Sequence, residues 1–112
     1  MKKIRKLNAK VSLDGPEVCR EYVRTEKMWF GTSELLPGQT GGIDQGHPVS
    51  HEVFFAARGH VIVRNPESGN FYELEESEAL LIEEGEPHEI TNIGTVPALI
   101  IWAGGPTDER IK

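Results

Sequence analysis

The chain has 112 residues and a net charge of −6, from 18 acidic and 12 basic side chains. This length predicts one domain with a single hydrophobic core and excludes a two-domain enzyme. With 38% hydrophobic and 27% charged residues, the composition excludes a disordered chain. The acidic balance argues against nucleic acid as a partner. The sequence has no run of about 18 apolar residues, so we expect no membrane-spanning segment and no membrane partner.

The N-terminal segment is the most basic part of the chain and precedes the first predicted strand. Residues 1–17 begin with MKKIRKLNAK, which lacks the apolar stretch of a signal peptide. We therefore expect a cytoplasmic protein with a basic, solubilising N-terminal extension. The single cysteine, Cys19, cannot form an internal disulfide, and its apolar-alternating surroundings predict a buried structural thiol.

The remainder of the chain consists of short apolar segments separated by turn residues. No long segment has helical periodicity, and 12 glycines and 7 prolines fit a chain with many turns. We predict strands at about residues 18–24, 28–36, 50–57, 60–65, 70–75, 79–82, 87–93 and 97–103. This pattern is typical of an all-β protein, either a small sandwich or a closed barrel.

Several predicted strands are apolar on both faces, as in Val53-Phe54-Phe55 and in residues 79–82 and 99–102. An antiparallel sheet with one face in water should alternate between apolar and polar residues. The outer face of these strands should therefore be covered, by the N-terminal strands or by a second copy of the chain. We expect a homodimer, because two-fold dimers are the commonest oligomers.

Candidate metal ligands surround the long loop predicted at residues 37–49. His47 lies in this loop, His51 and Glu52 open the next strand, and His88 begins a strand much later in the chain. Imidazole and carboxylate groups together suit one divalent transition metal ion, such as Zn, Fe, Ni, Cu or Mn.

The spacing of these residues resembles the first motif of the cupin family. That motif consists of Gly, five residues, His-x-His, three or four residues, Glu, six residues and Gly. Here Gly41 lies five residues before His47, and Glu52 lies six residues before Gly59. Residues 41–59 therefore match both ends of the motif.

A second motif of the same family ends in Pro-x-Gly, two residues, His, three residues and Asn. Gly85, His88 and Asn92 occupy its last three defined positions. The resemblance covers about residues 35–104. It implies a cupin-type antiparallel β-barrel, or jelly roll, of about eight or more short strands.

The first motif departs from the family at its histidines. Counting back from Glu52, the usual His-x-His would fall on Gly46 and Pro48, whereas this chain has His47 and His51. Side chains alternate between the faces of a strand, so in one regular strand both histidines would share a face and Glu52 would point the other way.

Two ligand sets follow from this departure. In the first, Glu52 and His88 point inward and His47 joins them from an irregular Gly46-His47-Pro48 segment. In the second, His47 and His51 point inward and Glu52 is external. We favour the first set because it preserves the spacing between Glu52 and the following glycine.

Further residues complete the predicted site. Asp44 or Gln45, which flank the loop histidine, could supply an oxygen ligand, whereas His60 is expected at the surface. Either Glu52 or His51 would handle protons if it is not a ligand. The residues predicted to line a substrate pocket are Phe54, Asn92, Gln45 and Trp102.

The resemblance implies three classes of function. Small cupins include metal-dependent isomerases, dioxygenases, decarboxylases and lyases that act on small oxygenated organic acids or sugars. They also include non-catalytic modules that bind a small ligand or sugar. A structural dimer with a decayed metal site is the third possibility. We favour the metalloenzyme, although a fold alone does not choose among these functions.

Overall fold

The fold comes from a computed structural model, in which the structure describes residues 1–107. These residues form nine strands and one short 3₁₀ helix at Lys6–Asn8. The strands are β1 (Lys10–Asp14), β2 (Glu17–Arg24), β3 (Trp29–Leu35), β4 (His51–Arg58), β5 (Val61–Arg64), β6 (Phe71–Leu74), β7 (Ala79–Ile82), β8 (Glu89–Asn92) and β9 (Ala98–Gly105). The predicted all-β class is confirmed.

The strands are arranged in two antiparallel sheets. The larger sheet has the order β1-β2-β3-β9-β4-β7, and the smaller has the order β6-β5-β8. Strand β9 pairs with both β3 and β4, so the last strand lies in the middle of the larger sheet. This crossing of sequence order produces the jelly-roll barrel that the sequence predicts.

Alternating side chains place the core between the two sheets. In β4, every second residue from Glu52 to Ala56 is buried, and the residues between them face outward. The apolar core is formed by side chains from both sheets: Leu35, Phe54, Ala56, Val61, Val63, Leu74, Ile82, Ile90, Ala98 and Ile100. The inward face of β4 therefore carries Glu52 toward the barrel interior.

The N-terminal segment differs from the extension that we predicted. Residues 10–14 form strand β1, which pairs with β2 at the edge of the larger sheet. All five residues of β1 are exposed. Because Val11 and Leu13 alternate with polar residues in a basic stretch, only their pairing with β2 reveals the strand.

The outer face of the larger sheet carries an exposed apolar patch in the single chain. Val53, Phe55 and Leu81 are exposed. They lie on neighbouring strands, because Val53 pairs with Leu81 across β4 and β7. The apolar runs predicted from the sequence thus supply both the core and an exposed apolar surface.

Candidate metal centre

The first candidate ligand, Glu52, is fixed by the alternation of β4. Its side chain is only 5% exposed, and its Oε2 accepts a hydrogen bond of 2.8 Å from Trp29 Nε1. The close approach of Trp29 depends on Gly104, where a Cβ would overlap the indole ring. The carboxylate is therefore held by one oxygen while the other, Oε1, faces the cavity.

His47 reaches the same point from the loop before β4. The residue before it, Gly46, has φ of +91°, a backbone conformation that side chains rarely adopt. The turn at this glycine frees His47 from the alternation of the strand. Its ring packs against that of Trp29, with centroids 4.6 Å apart.

His88 lies just before β8 and is oriented by the backbone. Its Nδ1 lies 2.9 Å from the carbonyl oxygen of Glu86, a contact in which the nitrogen is the donor. In the neutral ring this leaves the Nε2 lone pair free for a ligand bond. The ring also packs edge-on against Phe54, with centroids 5.3 Å apart.

Asp44 completes the cluster through its pairing with His88. The backbone N–H of each residue donates to the carbonyl of the other, at 2.9 Å in both directions. The Asp44 side chain accepts a hydrogen bond from the backbone N–H of Gly46 through Oδ1. Its second oxygen, Oδ2, faces the histidines.

Four side-chain atoms converge in this way. Glu52 Oε1 lies 3.4 Å from both His47 Nε2 and His88 Nε2. Asp44 Oδ2 lies 3.9 Å from His47 Nε2 and 3.7 Å from His88 Nε2. We call Asp44, His47, Glu52 and His88 the ligand cluster.

The converging atoms lack hydrogen-bond partners. Among residues 1–107, four buried side-chain nitrogen or oxygen atoms have no such partner, and three of them are His47 Nε2, Glu52 Oε1 and His88 Nε2. The separations of 3.4 Å are longer than ordinary N–H···O hydrogen bonds. Unpaired buried polar atoms cost free energy, so three in one place fit a site for an external group.

The charges of the ligand cluster are coupled. Burial alone would raise the pKa of Glu52, but contacts with His47, His88 and Trp29 lower it to about 2. The neighbouring Glu52 carboxylate raises the pKa of His47 against the opposing effect of burial. Burial lowers the pKa of His88, yet Glu52, the Glu86 carbonyl and Asp44 raise it overall.

The donor set fits a transition metal ion. Two imidazole nitrogens and carboxylate oxygens are ligands that Zn and first-row metals accept. Asp44, His47 and Glu52 each offer one ligand atom, and these atoms all lie within 4.8 Å of one another. The sequence identified Asp44 only as a flanking oxygen donor, because its place depends on backbone pairing with a residue far along the chain.

Two predicted residues lie outside the ligand cluster. His51 is on the outer face of β4, where it is exposed and pairs with Glu84. The alternation that buries Glu52 directs His51 away from the interior, so the structure does not bring His51 to the predicted metal or proton-transfer position. Gln45 is exposed, and its side chain does not line the cavity at the cluster.

The remaining pocket residues divide into two groups. Phe54 and Trp102 line a cavity of about 150 Å³ together with the ligand cluster. Asn92 does not line it; its amide nitrogen donates to the carbonyls of Leu35 and Val96. Asn92 therefore bonds backbone carbonyls at the far end of β8. This corrects our prediction that it forms part of the pocket. His60 contacts Glu73 at the surface, as expected.

Comparison with known proteins identifies the family. The sequence profile of the cupin domain matches residues 31–104, well over half of the chain. The chain belongs to the cupin family. The resemblance seen in the two sequence motifs is thereby confirmed. No helix among residues 1–107 is long and apolar enough to cross a membrane.

Individual relatives share the sequence or the fold of this cupin. Tetracenomycin polyketide synthase protein TcmJ of Streptomyces glaucescens is 33% identical over 73% of this chain, which spans about half (53%) of that protein. TT1209 of Thermus thermophilus has 28% identity and a TM-score of 0.70, with 85% of this chain and 90% of that one covered. FeII HppE has a TM-score of 0.77 at 19% identity, with coverage of 90% and 58%, and shares the fold.

Proposed function

We propose that this cupin is a metalloenzyme that binds one divalent transition metal ion and acts on a small oxygenated compound. The observation that carries the proposal is the convergence of three buried, unpartnered atoms: His47 Nε2, Glu52 Oε1 and His88 Nε2. Since such atoms are costly in a folded protein, their clustering is best explained by a ligand that all three share.

Four side chains would hold the ion. His47 and His88 would supply nitrogens, Glu52 would supply Oε1, and Asp44 would supply Oδ2. When bound, such an ion supplies Lewis-acid or redox chemistry toward oxygen atoms of a substrate. The similarity of fold to FeII HppE, an iron(II) protein by its name, supports a metal in this type of barrel.

The surrounding residues orient the ligand atoms and shape the cavity. Trp29 fixes Glu52, the carbonyl of Glu86 fixes the ring of His88, and Phe54 packs against that ring. Partners of this kind set the orientation of metal ligands and their affinity. The cavity of about 150 Å³ has room for a group about the size of benzene beside the ion.

The proposal is tested by metal content. The purified full chain should carry close to one equivalent of a transition metal after reconstitution, measured by elemental mass spectrometry. His88→Ala should lose this metal, whereas His60→Ala, which changes a surface histidine, should retain it. A metal-free wild type after reconstitution with each ion, or equal retention by both variants, would refute the proposed site.

We propose in addition that the chain forms a homodimer through the outer face of the larger sheet. Val53, Phe55 and Leu81 present adjacent exposed apolar side chains there. The same apolar patch on a two-fold related partner would give the self-complementary contact that homodimers use.

The assembly is tested by light scattering. The wild type should have twice the chain mass of 12.5 kDa. Phe55→Glu should shift it to the monomer mass, whereas Phe71→Glu, at an exposed position of the smaller sheet, should leave the dimer intact. A monomeric wild type, or a dimer that survives Phe55→Glu, would exclude this interface.

A further inference from the structure

The cavity beside the ligand cluster contains a second buried carboxyl group. Glu17 begins β2, is 7% exposed and lines the same cavity of about 150 Å³. Its Oε2 accepts hydrogen bonds from Ser33 Oγ and, at 3.6 Å, from Cys19 Sγ. Ser33 in turn accepts a hydrogen bond of 2.9 Å from Trp102 Nε1. One oxygen of Glu17 is thus held firmly by the barrel wall.

The other oxygen of Glu17 has no such partner. Glu17 Oε1 makes no hydrogen bond to any of residues 1–107. It occupies the space that a side chain at Gly41 would need, since a Cβ there would overlap it. Glu17 Oε1 is not among the fully buried unpartnered atoms, so it keeps some exposure and can hydrogen-bond a molecule in the cavity that Glu17 lines.

The charge around Glu17 is strongly acidic. The cavity is lined by six carboxyl residues and one guanidinium, and the latter, Arg24, pairs with Glu21. Burial first of all, and then the negative charges of Asp14 and Asp44, raise the pKa of Glu17, against an opposing hydrogen bond from Ser33. Cys19 also faces Glu17, and its own pKa is raised to about 12, so it stays neutral.

A bound divalent ion would not make the net charge of the cavity lining positive. The two carboxylates of the ligand cluster, Asp44 and Glu52, would offset its two positive charges, and His47 and His88 would bind as neutral rings. Asp14 and Glu17 would remain in the lining of the cavity as further carboxyl groups. An anionic ligand would therefore approach like charges in a partly desolvated cavity, which is unfavourable.

Building on the proposed metal site, we propose that this cavity selects a small uncharged polyol or hydroxyketone over an organic acid anion, and that the Glu17 carboxyl hydrogen-bonds an oxygen of that ligand. Glu17 is a specificity-determining residue in this account. Oε1 accepts a hydrogen bond from a hydroxyl of the ligand while Oε2 stays bound to Ser33. The inference narrows the two substrate classes left open by the sequence, organic acids and sugars, to the uncharged one.

A matched pair of probes tests the selection by charge. Dihydroxyacetone and hydroxypyruvate differ by the replacement of one hydroxymethyl group with a carboxylate, and both fit the volume. Calorimetric binding to the zinc-reconstituted full chain at pH 7 should show dihydroxyacetone at least about tenfold tighter, which corresponds to about 1.4 kcal/mol. Equal or tighter binding of hydroxypyruvate, or no binding of either probe, would overturn the inference.

Variants of Glu17 test its part in the selection. Glu17→Ala should lower the affinity for dihydroxyacetone about tenfold, whereas Glu17→Gln, which keeps an acceptor oxygen for the ligand hydroxyl, should stay within about threefold of the wild type. Glu34→Ala, the same change on the outer face of β3, is the matched control and should have no effect. Gly41→Ala keeps Glu17 but displaces its Oε1, so it should weaken dihydroxyacetone binding as Glu17→Ala does. If Glu17→Ala does not fold, the affinity of Gly41→Ala for dihydroxyacetone decides whether Glu17 contributes to binding.

The zinc content of the same samples separates the two proposals. If zinc is absent from the wild type, the proposed metal site fails, and the metal-free chain is then titrated with the same two probes. A preference for dihydroxyacetone that Gly41→Ala abolishes would sustain the role of Glu17. If zinc is bound but Glu17→Ala and Gly41→Ala bind dihydroxyacetone as tightly as the wild type, the role of Glu17 fails and the metal site stands.

Discussion

At one end of strand β8, the side chain of Asn92 is completely buried and its amide makes three hydrogen bonds to the backbone. At the other end, His88 is almost as buried, yet its Nε2 has no hydrogen-bond partner among residues 1–107. Both are polar residues of one cupin motif. Burial alone therefore does not mark a functional residue, whereas burial with an unpartnered atom does.

The largest expected effect is a difference in the free energy of unfolding between variants at the two ends of β8. Asn92→Leu should lower the free energy of unfolding by about 3 kcal/mol or more, because it leaves the carbonyls of Leu35 and Val96 and the N–H of Gly94 unpaired. His88→Leu in the metal-free protein should cost about 1 kcal/mol, because it removes only the hydrogen bond from Nδ1 to the Glu86 carbonyl, whereas Nε2 makes none. Urea denaturation measures both values. Equal costs would remove the distinction between the two ends.

A smaller effect is expected from the residue that supports Glu52. Trp29→Phe removes the hydrogen bond from Nε1 to Glu52 Oε2 and retains most of the ring. The affinity for the reconstituted metal ion should fall by about tenfold to a hundredfold, as for other partners of metal ligands. Competition with a chromogenic chelator measures this change. Unchanged affinity would mean that Trp29 serves packing alone.

The pH dependence of the free energy of unfolding tests the environment of the buried Glu17 carboxyl. The raised pKa of Glu17 means that the folded state holds its proton more tightly than the unfolded state above pH 4.5. Stability should therefore decrease as the pH rises from 4.5 to the folded pKa, by about 1.4 kcal/mol for each unit of that rise. Glu17→Gln should gain stability relative to the wild type over this range. Parallel curves for the two proteins would contradict the assignment.

The smallest effect is expected at His51. Because this side chain lies outside the barrel and pairs with Glu84 at the surface, His51→Ala should change stability by less than about 0.5 kcal/mol. It should also leave metal content unchanged. Loss of the metal from His51→Ala, with retention by a Glu52→Gln variant, would favour the second ligand set that the sequence left open.

These contrasts show how far the sequence alone can go. The spacing of glycines, Glu52 and His88 predicted the cupin fold, and the apolar alternation located eight of the nine strands in residues 1–107. The alternation shows which face of the sheet a side chain lies on, but it does not show how far along the barrel that side chain lies. Asn92 shares the inward face of His88, but four residues of strand separate them by about 13 Å, which moves Asn92 to the other end of the barrel.

Other parts of the site depend on contacts between distant segments. Asp44 reaches the ligand cluster through reciprocal backbone hydrogen bonds with His88, 44 positions along the chain, and no local pattern encodes that pairing. Similarly, Glu17 lies in a segment that we predicted as a solubilising extension. Its place in the cavity follows from the pairing of β2 with β3, which sets Cys19 beside Ser33.

The most direct test of the central claim is a crystal structure of the zinc-reconstituted full chain, with anomalous data collected on both sides of the zinc absorption edge. We expect one anomalous peak within about 2.3 Å of His47 Nε2, His88 Nε2 and Glu52 Oε1. A peak at His51 and Glu84 instead, or no peak near the three unpartnered atoms, would contradict it.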